Sequence, residues 1–415
     1  MAKGALSGFR LGPILGIGVG GLAIAAIWSL YNTFMPLLLG EFISSRSLRG
    51  FIMGLDNALA VLLMPLIGAW SDRLGGPLGK RLPFLIFGMP LAALMFALLP
   101  FSAAAIWTLL LADIAFLLSM MSFRAPMVAL MPDHVAPPAR ATANGVITLL
   151  GALGGALALL ALAPLYDEVR WLPFAGAGLI LLLSLVAILR TAERWPTHVE
   201  QGAASEETPF VTSLIGRLRR IFSRESLGGG LVLCSLFAFF FGYSALEAQF
   251  STFATESLGV SAGRAGSLLG LTLATFMLTA LPAGLLASRI GEFRVMTMGA
   301  LPLALVAISL ALVDDPRAAP YLLALAGVFW ALIVVPAYPL VVSLGGAAST
   351  GFLTGAYYLF GSGAAIVGPG LAGALMDLFG NRALFIAVAV AVAAGAVVLN
   401  SARPLVRAAT AAPGE

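Results

Sequence analysis

Twelve long apolar runs constrain this chain more than any other feature. They lie near residues 12–40, 51–70, 83–100, 104–131, 141–164, 171–190, 229–255, 261–287, 293–313, 319–343, 350–375 and 382–401. A membrane-spanning helix needs about 20 consecutive apolar residues, and a membrane strand only about ten in alternation. The runs therefore predict an all-α membrane protein of twelve spans. Several runs exceed the bilayer, which predicts tilting or protrusion. Composition agrees: 60% of the residues are hydrophobic and 10% are charged, against about 25% charged in soluble chains. The single cysteine, Cys234, excludes an intrachain disulfide. A net charge of +4 reads as basic loops, not as a nucleic-acid face. The opening MAKGALSGFR has two positive residues and no small-residue cleavage site after the first run. That run reads as a retained span, not a removed signal peptide.

One long polar stretch, residues 191–226, divides the chain six spans from six. The expected organisation is an N-terminal six-helix bundle over 1–190, a linker over 191–226 and a C-terminal bundle over 227–415. Within the linker, Pro209 to Arg224 predicts a short helix lying on the membrane surface. Leu214, Ile215, Leu218, Ile221 and Phe222 share one face, flanked by Arg217, Arg219, Arg220 and Arg224. Placing both chain ends on the cytoplasmic side puts sixteen Lys and Arg there and six outside: Arg46, Arg49, Arg170, Arg264, Arg317 and Arg382. Positive residues favour the inside, so the expected orientation is N-in, C-in. The halves also repeat weakly. Gly68 stands four residues before Asp72-Arg73 after the second span, and Gly284 four before Ser288-Arg289 after the eighth. Duplicated halves around a central site are a transporter architecture.

Charges within the spans point to that site. Asp113 and Arg124 fall in the fourth span, eleven residues apart. At 100° per residue they share one helix face, separated by about 16 Å along the axis. An acid and a base on one stripe of a membrane helix suggest a polar pathway. A carboxyl desolvated in a bundle can bind and release a proton; the other reading is a structural acid. Arg124 has five donors suited to hydroxyls or a carboxylate, or it snorkels to the headgroups. Asp56 and Asn57 sit near the outer end of the second span, and Glu247 and Gln249 interrupt the seventh. These four are candidates for a proton relay or for binding hydroxyls. Tyr31 with Asn32, Tyr243, and Tyr357 with Tyr358 lie at matching depth and could stack on or bond a sugar. The rival reading places them in packing or interfacial belts, with Trp28, Trp330 and Tyr338. Glycines at 151, 154 and 155 and between 363 and 373 permit close helix approach, and Gly368-Pro369-Gly370 can bend the eleventh span. His134 and His198 are expected in polar loops.

The loop GAWSDRLGGPLGKRLPF resembles the signature of the major facilitator superfamily between its second and third helices. Its spacing, Ser71-Asp72-Arg73, five residues, Gly79-Lys80-Arg81, one residue, Pro83-Phe84, is similar to the form found in the sucrose transporter branch of the glycoside–cation symporters. Asp113, Arg124, Asp133, Arg140 and Ala143-Asn144 resemble that branch as well. The resemblance covers mainly residues 28–145. It implies a major facilitator fold with Asp113 as proton-binding group and Arg124 as substrate contact. It also implies gating roles for Asp72, Arg73, Lys80, Arg81, Asp133 and Arg140, since a carboxylate and arginines at neighbouring helix ends can form a charge-assisted clasp. Melibiose-type sodium carriers place paired carboxylates in the second helix; here those positions hold Ala60 and Met64. The oxygens for a hard cation are missing, which favours a proton as coupling ion.

No phosphate-binding loop, zinc-ligand cluster or Ser/His/Asp constellation is present in the sequence, so neither an enzyme nor ATP-driven transport is expected. The expectation is a proton-coupled symporter for a sucrose- or maltose-like sugar. Its expected setting is the bacterial cytoplasmic membrane, as a monomer without cofactor, metal or nucleic-acid partner. The alternatives are proton-coupled efflux of drugs or metabolites, and a non-transporting receptor or assembly factor. The fifth span lacks a clear Gly-Pro antiporter pattern.

Overall fold

The computed structural model describes residues 11–196, 227–313, 315–345 and 350–411. The expected surface helix, Pro209 to Arg224, lies outside the described residues. Twelve helical stretches are long and apolar enough to cross a membrane, and no strand occurs among the described residues. The helices are α1 (Leu11–Gly40), α2 (Arg46–Met53), α3 (Leu55–Arg73), α4 (Leu82–Ser102), α5 (Ile106–His134), α6 (Arg140–Leu157) and α7 (Leu172–Thr191). They continue with α8 (Leu227–Ser257), α9 (Ala262–Ile290), α10 (Glu292–Leu312), α11 (Ala319–Ser343), α12 (Thr350–Phe379) and α13 (Ala383–Ala411). The second span is made of α2 and α3 together, Arg46–Arg73. The fifth runs from α6 through a π turn, Ala158–Leu162, and a 3-10 turn, Ala163–Tyr166.

Proline helps fix where helices begin. Pro83, Pro173 and Pro320 stand in the first turns of α4, α7 and α11, where a missing N–H costs nothing. The loop before α4 turns at Gly79, whose φ is +76°. A Cβ there would also collide with the Arg194 carbonyl. Only glycine meets both demands.

The chain forms two compact units. The first holds residues 1–44, 55–203 and 260–273; the second holds 45–54, 204–259 and 274–415. Helix pairing within them repeats. In the first unit α1 packs on α6 and α7, and α4 packs on α5 and α7. In the second, α8 packs on α12 and α13, and α10 packs on α11 and α13. Counted by spans, each second-unit pair is its first-unit counterpart plus six, which extends the weak sequence repeat into packing.

The units depart from the expected boundaries in two places. Residues 45–54 belong with the second unit because α2 lies tightly on α12. A Cβ on Gly50 would stand 2.2 Å from the Pro369 carbonyl oxygen, and one on Gly373 2.3 Å from that of Arg46. Residues 260–273 belong with the first unit. A Cβ on Gly266 would sit 2.6 Å from the Ala163 methyl, and one on Gly270 2.8 Å from Leu159. These close approaches tie each segment to the unit that holds it.

Unit interiors are aromatic and aliphatic. Phe96, Phe116 and Phe174 form a ring cluster in the first, and Phe250, Phe253 and Phe385 in the second. The outward faces are apolar too: Leu62, Leu66, Phe87, Trp107, Leu281 and Leu305 are all exposed. In water this would be a liability; around an integral membrane protein it is the surface that lipid covers.

Candidate transport site

The sequence WSLYN brings Trp28 and Tyr31 to one face of α1, three residues apart. That face meets α5. The Tyr31 hydroxyl donates to Asp113 Oδ1 at 2.9 Å. Both residues are sealed, at 0% and 1% exposure. The Tyr31 ring sits edge-on to Trp28, centroids 5.5 Å apart, and 5.3 Å from Phe116, one turn beyond Asp113. A hydrogen bond to an ionised acceptor contributes about 1.5–3 kcal/mol, and its loss leaves a buried polar group unsatisfied. Tyr31, expected as a sugar contact, is instead the hydrogen-bond partner of the candidate proton site.

Trp28 links this pair to the base. The Arg124 guanidinium lies over the Trp28 ring, 5.5 Å from its centroid. Helix α5 runs unbroken from Ile106 to His134, so Asp113 and Arg124 occupy one rigid element as their spacing requires. Asp56 completes the group from the first turn of α3. It is buried at 8% exposure, and its Oδ1 accepts from the Asn57 backbone N–H and side-chain amide, each at 2.6 Å. Asp56 lies within electrostatic reach of both Asp113 and Arg124. Two carboxyls, one guanidinium and one phenol thus gather in the first unit from α1, α3 and α5. Asn57 is committed to Asp56, and Asn32 makes no hydrogen bond among the described residues. No group of His, Cys, Asp and Glu able to hold a metal ion occurs among the described residues.

The second unit carries a related but different arrangement. Tyr243 hydrogen-bonds Glu247, one turn along the same helix. The Tyr243 ring stacks on Trp330 with centroids 4.9 Å apart and planes 2° from parallel. Phe240 meets Trp330 and Tyr357 edge-on. Tyr358 is 63% exposed and meets Tyr357 edge-on, centroids 5.4 Å apart. Gln249 is reassigned. It is fully packed, and its amide donates to the Arg46 and Pro369 carbonyls at 3.0 Å each.

At the end of the first unit that bears the signature loop, Arg81 collects three partners. It pairs with Asp72 at 2.6 Å and Asp133 at 2.9 Å, and donates to the Ser71 hydroxyl. One arginine therefore ties the ends of α3 and α5 to the start of α4. Arg73 and Lys80, expected in the same clasp, form no ion pair among the described residues. Arg140 caps α5: it donates to the Val135 and Pro132 carbonyls. His134 is no loop residue. It ends α5, buried at 4% exposure. Its Nε2 accepts the Glu193 N–H at 2.9 Å, so Nδ1 donates to the Leu130 carbonyl at 2.8 Å.

Two clusters escape hydropathy reading. In the second unit the Asp377 carboxylate accepts from the Arg46 and Ser47 N–H groups and the Ser45 hydroxyl, at 2.9, 3.0 and 2.9 Å. An anion at a helix N-terminus satisfies orphan donors and meets the positive end of the helix dipole. Glu256 adds contacts to Arg46, Arg49 and Asn381. In the first unit Asp167 accepts from the Ser261 hydroxyl at 2.6 Å and the Gly263 N–H at 2.8 Å, capping α9. The close-approach glycines were the one sequence signal pointing to these contacts.

The sequence profile of the Major Facilitator Superfamily matches residues 17–369. The chain belongs to that superfamily. No curated protein matches it in sequence at a significant level. Among solved structures it is similar to a bacterial homologue of the human lysosomal transporter Spinster, inward-facing and unoccupied. The TM-score is 0.71 at 16% identity, over 97% of this chain and 98% of that one. It is also similar to a peptide transporter, POT, with TM-score 0.72 and 14% identity over 95% of each chain. A third is the nucleoside transporter NupG, with TM-score 0.71 and 12% identity over 95% of this chain and 99% of that one. The chain is an integral membrane transporter of this fold and not an enzyme, which sets aside the receptor and assembly-factor reading.

Proposed function

We propose that this superfamily member is a proton-coupled symporter for a sugar-like glycoside, working by alternating access in a bacterial cytoplasmic membrane. The observation that carries the reading is the sealed Tyr31–Asp113 bond with Asp56 and Arg124 around it. A carboxyl removed from water and held by a neutral donor can exchange a proton without a large rearrangement. Asp56 shares the site, so a charge change on one acid is felt by the other and by Arg124. Those interactions provide the link that symport needs, in which protonation and solute binding favour each other. The Arg81 clasp and the two carboxylate caps are candidates for contacts that hold one access state and part in the other. The carboxylates of a sodium site are replaced by Ala60 and Met64, which supports a proton over sodium. The peptide and nucleoside transporters among the structural neighbours share the fold but suggest no common solute, so sugar rests on this chain's own residues and on the resemblance of residues 28–145.

The test is uptake of radiolabelled sucrose and maltose into proteoliposomes, with an inward proton gradient, a sodium gradient or neither. Accumulation only with the proton gradient supports the reading. Accumulation driven by sodium contradicts proton coupling. Proton-driven extrusion instead of uptake establishes the efflux alternative.

A further inference from the structure

His134 ends α5 and is buried at 4% exposure. The proposed transport chemistry does not use it. Its partner explains why it is there. Helix α7 stops at Thr191, and Ala192 turns to extended backbone while its N–H still bonds the Ile188 carbonyl. The next amide, that of Glu193, has run past the helix and needs an acceptor elsewhere. His134 Nε2 supplies it at 2.9 Å. That bond requires a lone pair on Nε2, so the ring is neutral and its proton sits on Nδ1, donated to the Leu130 carbonyl at 2.8 Å. The same short segment packs on the signature loop, where a Cβ on Gly79 would collide with the Arg194 carbonyl. Residues 191–196 open the polar stretch that joins the two six-span halves of the chain.

Protonation breaks one of these bonds and spares the other. An imidazolium carries N–H on both nitrogens. Nδ1 still donates to Leu130, but Nε2 then sets a donor against the Glu193 donor. A cavity of about 20 Å³ lies beside the ring, room for one water, so a proton can reach it without unfolding. The charged groups around that cavity are Lys80 and Arg81 from the loop before α4, Asp133 on α5, and Glu193 and Arg194. Arg81 is neutralised by Asp72 and Asp133. From α6, Arg140 donates to the Val135 and Pro132 carbonyls. Arg73 on α3 and Arg190 on α7 are exposed, and α1 and α4 carry no ionisable side chain except Tyr31. Acids and cations stand on both sides of the ring. The count of donors and acceptors, more than net charge, therefore decides whether the bond survives.

The geometry points to a proton-sensitive latch: neutral His134 holds the first residues of the linker on the end of α5, and protonated His134 releases them. Histidine is the side chain whose ordinary charge change falls between about pH 5 and 8. The latch thus answers acid on the side of the membrane that bears the signature loop, the side expected to be cytoplasmic. What it controls is the attachment of the segment that connects the halves. It stands whether or not protons drive uptake.

Hydrogen–deuterium exchange on the purified full-length protein tests this with no solute and no gradient. The readout is protection of residues 191–196 between about pH 8 and pH 5, corrected for the intrinsic pH dependence of amide exchange. Protection is expected to fall about tenfold on acidification, in line with one lost hydrogen bond. Residues 130–134 should keep theirs, because the bond from Nδ1 to Leu130 survives. His134→Gln retains a donor and an acceptor on an uncharged side chain, so its protection should not change with pH. Constant protection in the unsubstituted protein overturns the proposal. So does a fall that persists in His134→Gln, which would put the titration on Asp133 or Glu193. Should His134→Gln fail to fold, the pattern in the unsubstituted protein decides alone: loss confined to 191–196 supports the latch, and loss spread over 130–134 overturns it.

Discussion

Each unit carries a tyrosine bonded to a carboxyl beside a tryptophan, and the two versions differ in how they are made. In the first, Tyr31 on α1 reaches across to Asp113 on α5, so the bond joins two helices and is sealed. In the second, Tyr243 and Glu247 lie one turn apart on α8. That bond closes within one helix and constrains no packing partner. The first pair has Asp56 and Arg124 for company; the second has Phe240, Trp330 and Tyr357. The two units thus divide the chemistry between them. Ionisable chemistry is concentrated in the first, and broad aromatic surface in the second.

The largest expected effect comes from breaking the first pair at its acid. Asp113→Asn should collapse uphill accumulation to a ratio of about one, because coupling of this kind is worth roughly 5- to 150-fold, while exchange down a gradient persists. Tyr31→Phe keeps the ring contacts and removes only the donor. It should cost about tenfold in proton-driven uptake, in line with one lost charge-assisted bond, measured as initial rate against external pH.

The carboxylate caps sharpen the same comparison at a smaller scale. Asp377→Asn removes a cap that Arg46 and Glu256 reinforce, whereas Asp167→Asn removes a cap that forms no ion pair with an arginine among the described residues. Loss of a helix cap costs about 0.5–2 kcal/mol. The Asp377 variant should fall at the upper end and lower the unfolding temperature more than the Asp167 variant, as read by thermal denaturation in detergent. Glu247→Gln should be the mildest change, within about threefold of the parent uptake rate, since a neutral amide still bonds Tyr243. An effect as large as that of Asp113→Asn would place proton chemistry in both units and erase the distinction.

Much of this was readable in the sequence, and what was not has physical causes. Hydropathy located all twelve spans, most of their ends within a few residues, because lipid demands an unbroken apolar length; the last helix runs on to Ala411, past the expected end at 401. Hydropathy also began the second span at residue 51 where the helix begins at Arg46. Arg46 and Arg49 look like loop residues until Asp377 and Glu256 are seen to neutralise them. Asp113 and Arg124 were legible as a pair since one helix carries both. The partners of Asp113 and Arg124 were not, because Tyr31 stands 82 residues from Asp113 and only the packing of α1 on α5 joins them. Gln249 was misread for a related reason. Polarity within a span does not say which way the side chain faces. Gln249 faces carbonyls on α2 and α12.

The central claim is that Asp113, in its sealed bond to Tyr31, carries the proton that drives solute entry. Proton movement measured directly tests it: weakly buffered proteoliposomes, a pH electrode outside, and solute added with no imposed gradient. The unsubstituted protein is expected to alkalinise the medium as solute enters, and Asp113→Asn to admit solute with no pH change. Alkalinisation that persists in Asp113→Asn, or solute entry without proton movement in the unsubstituted protein, would contradict the account.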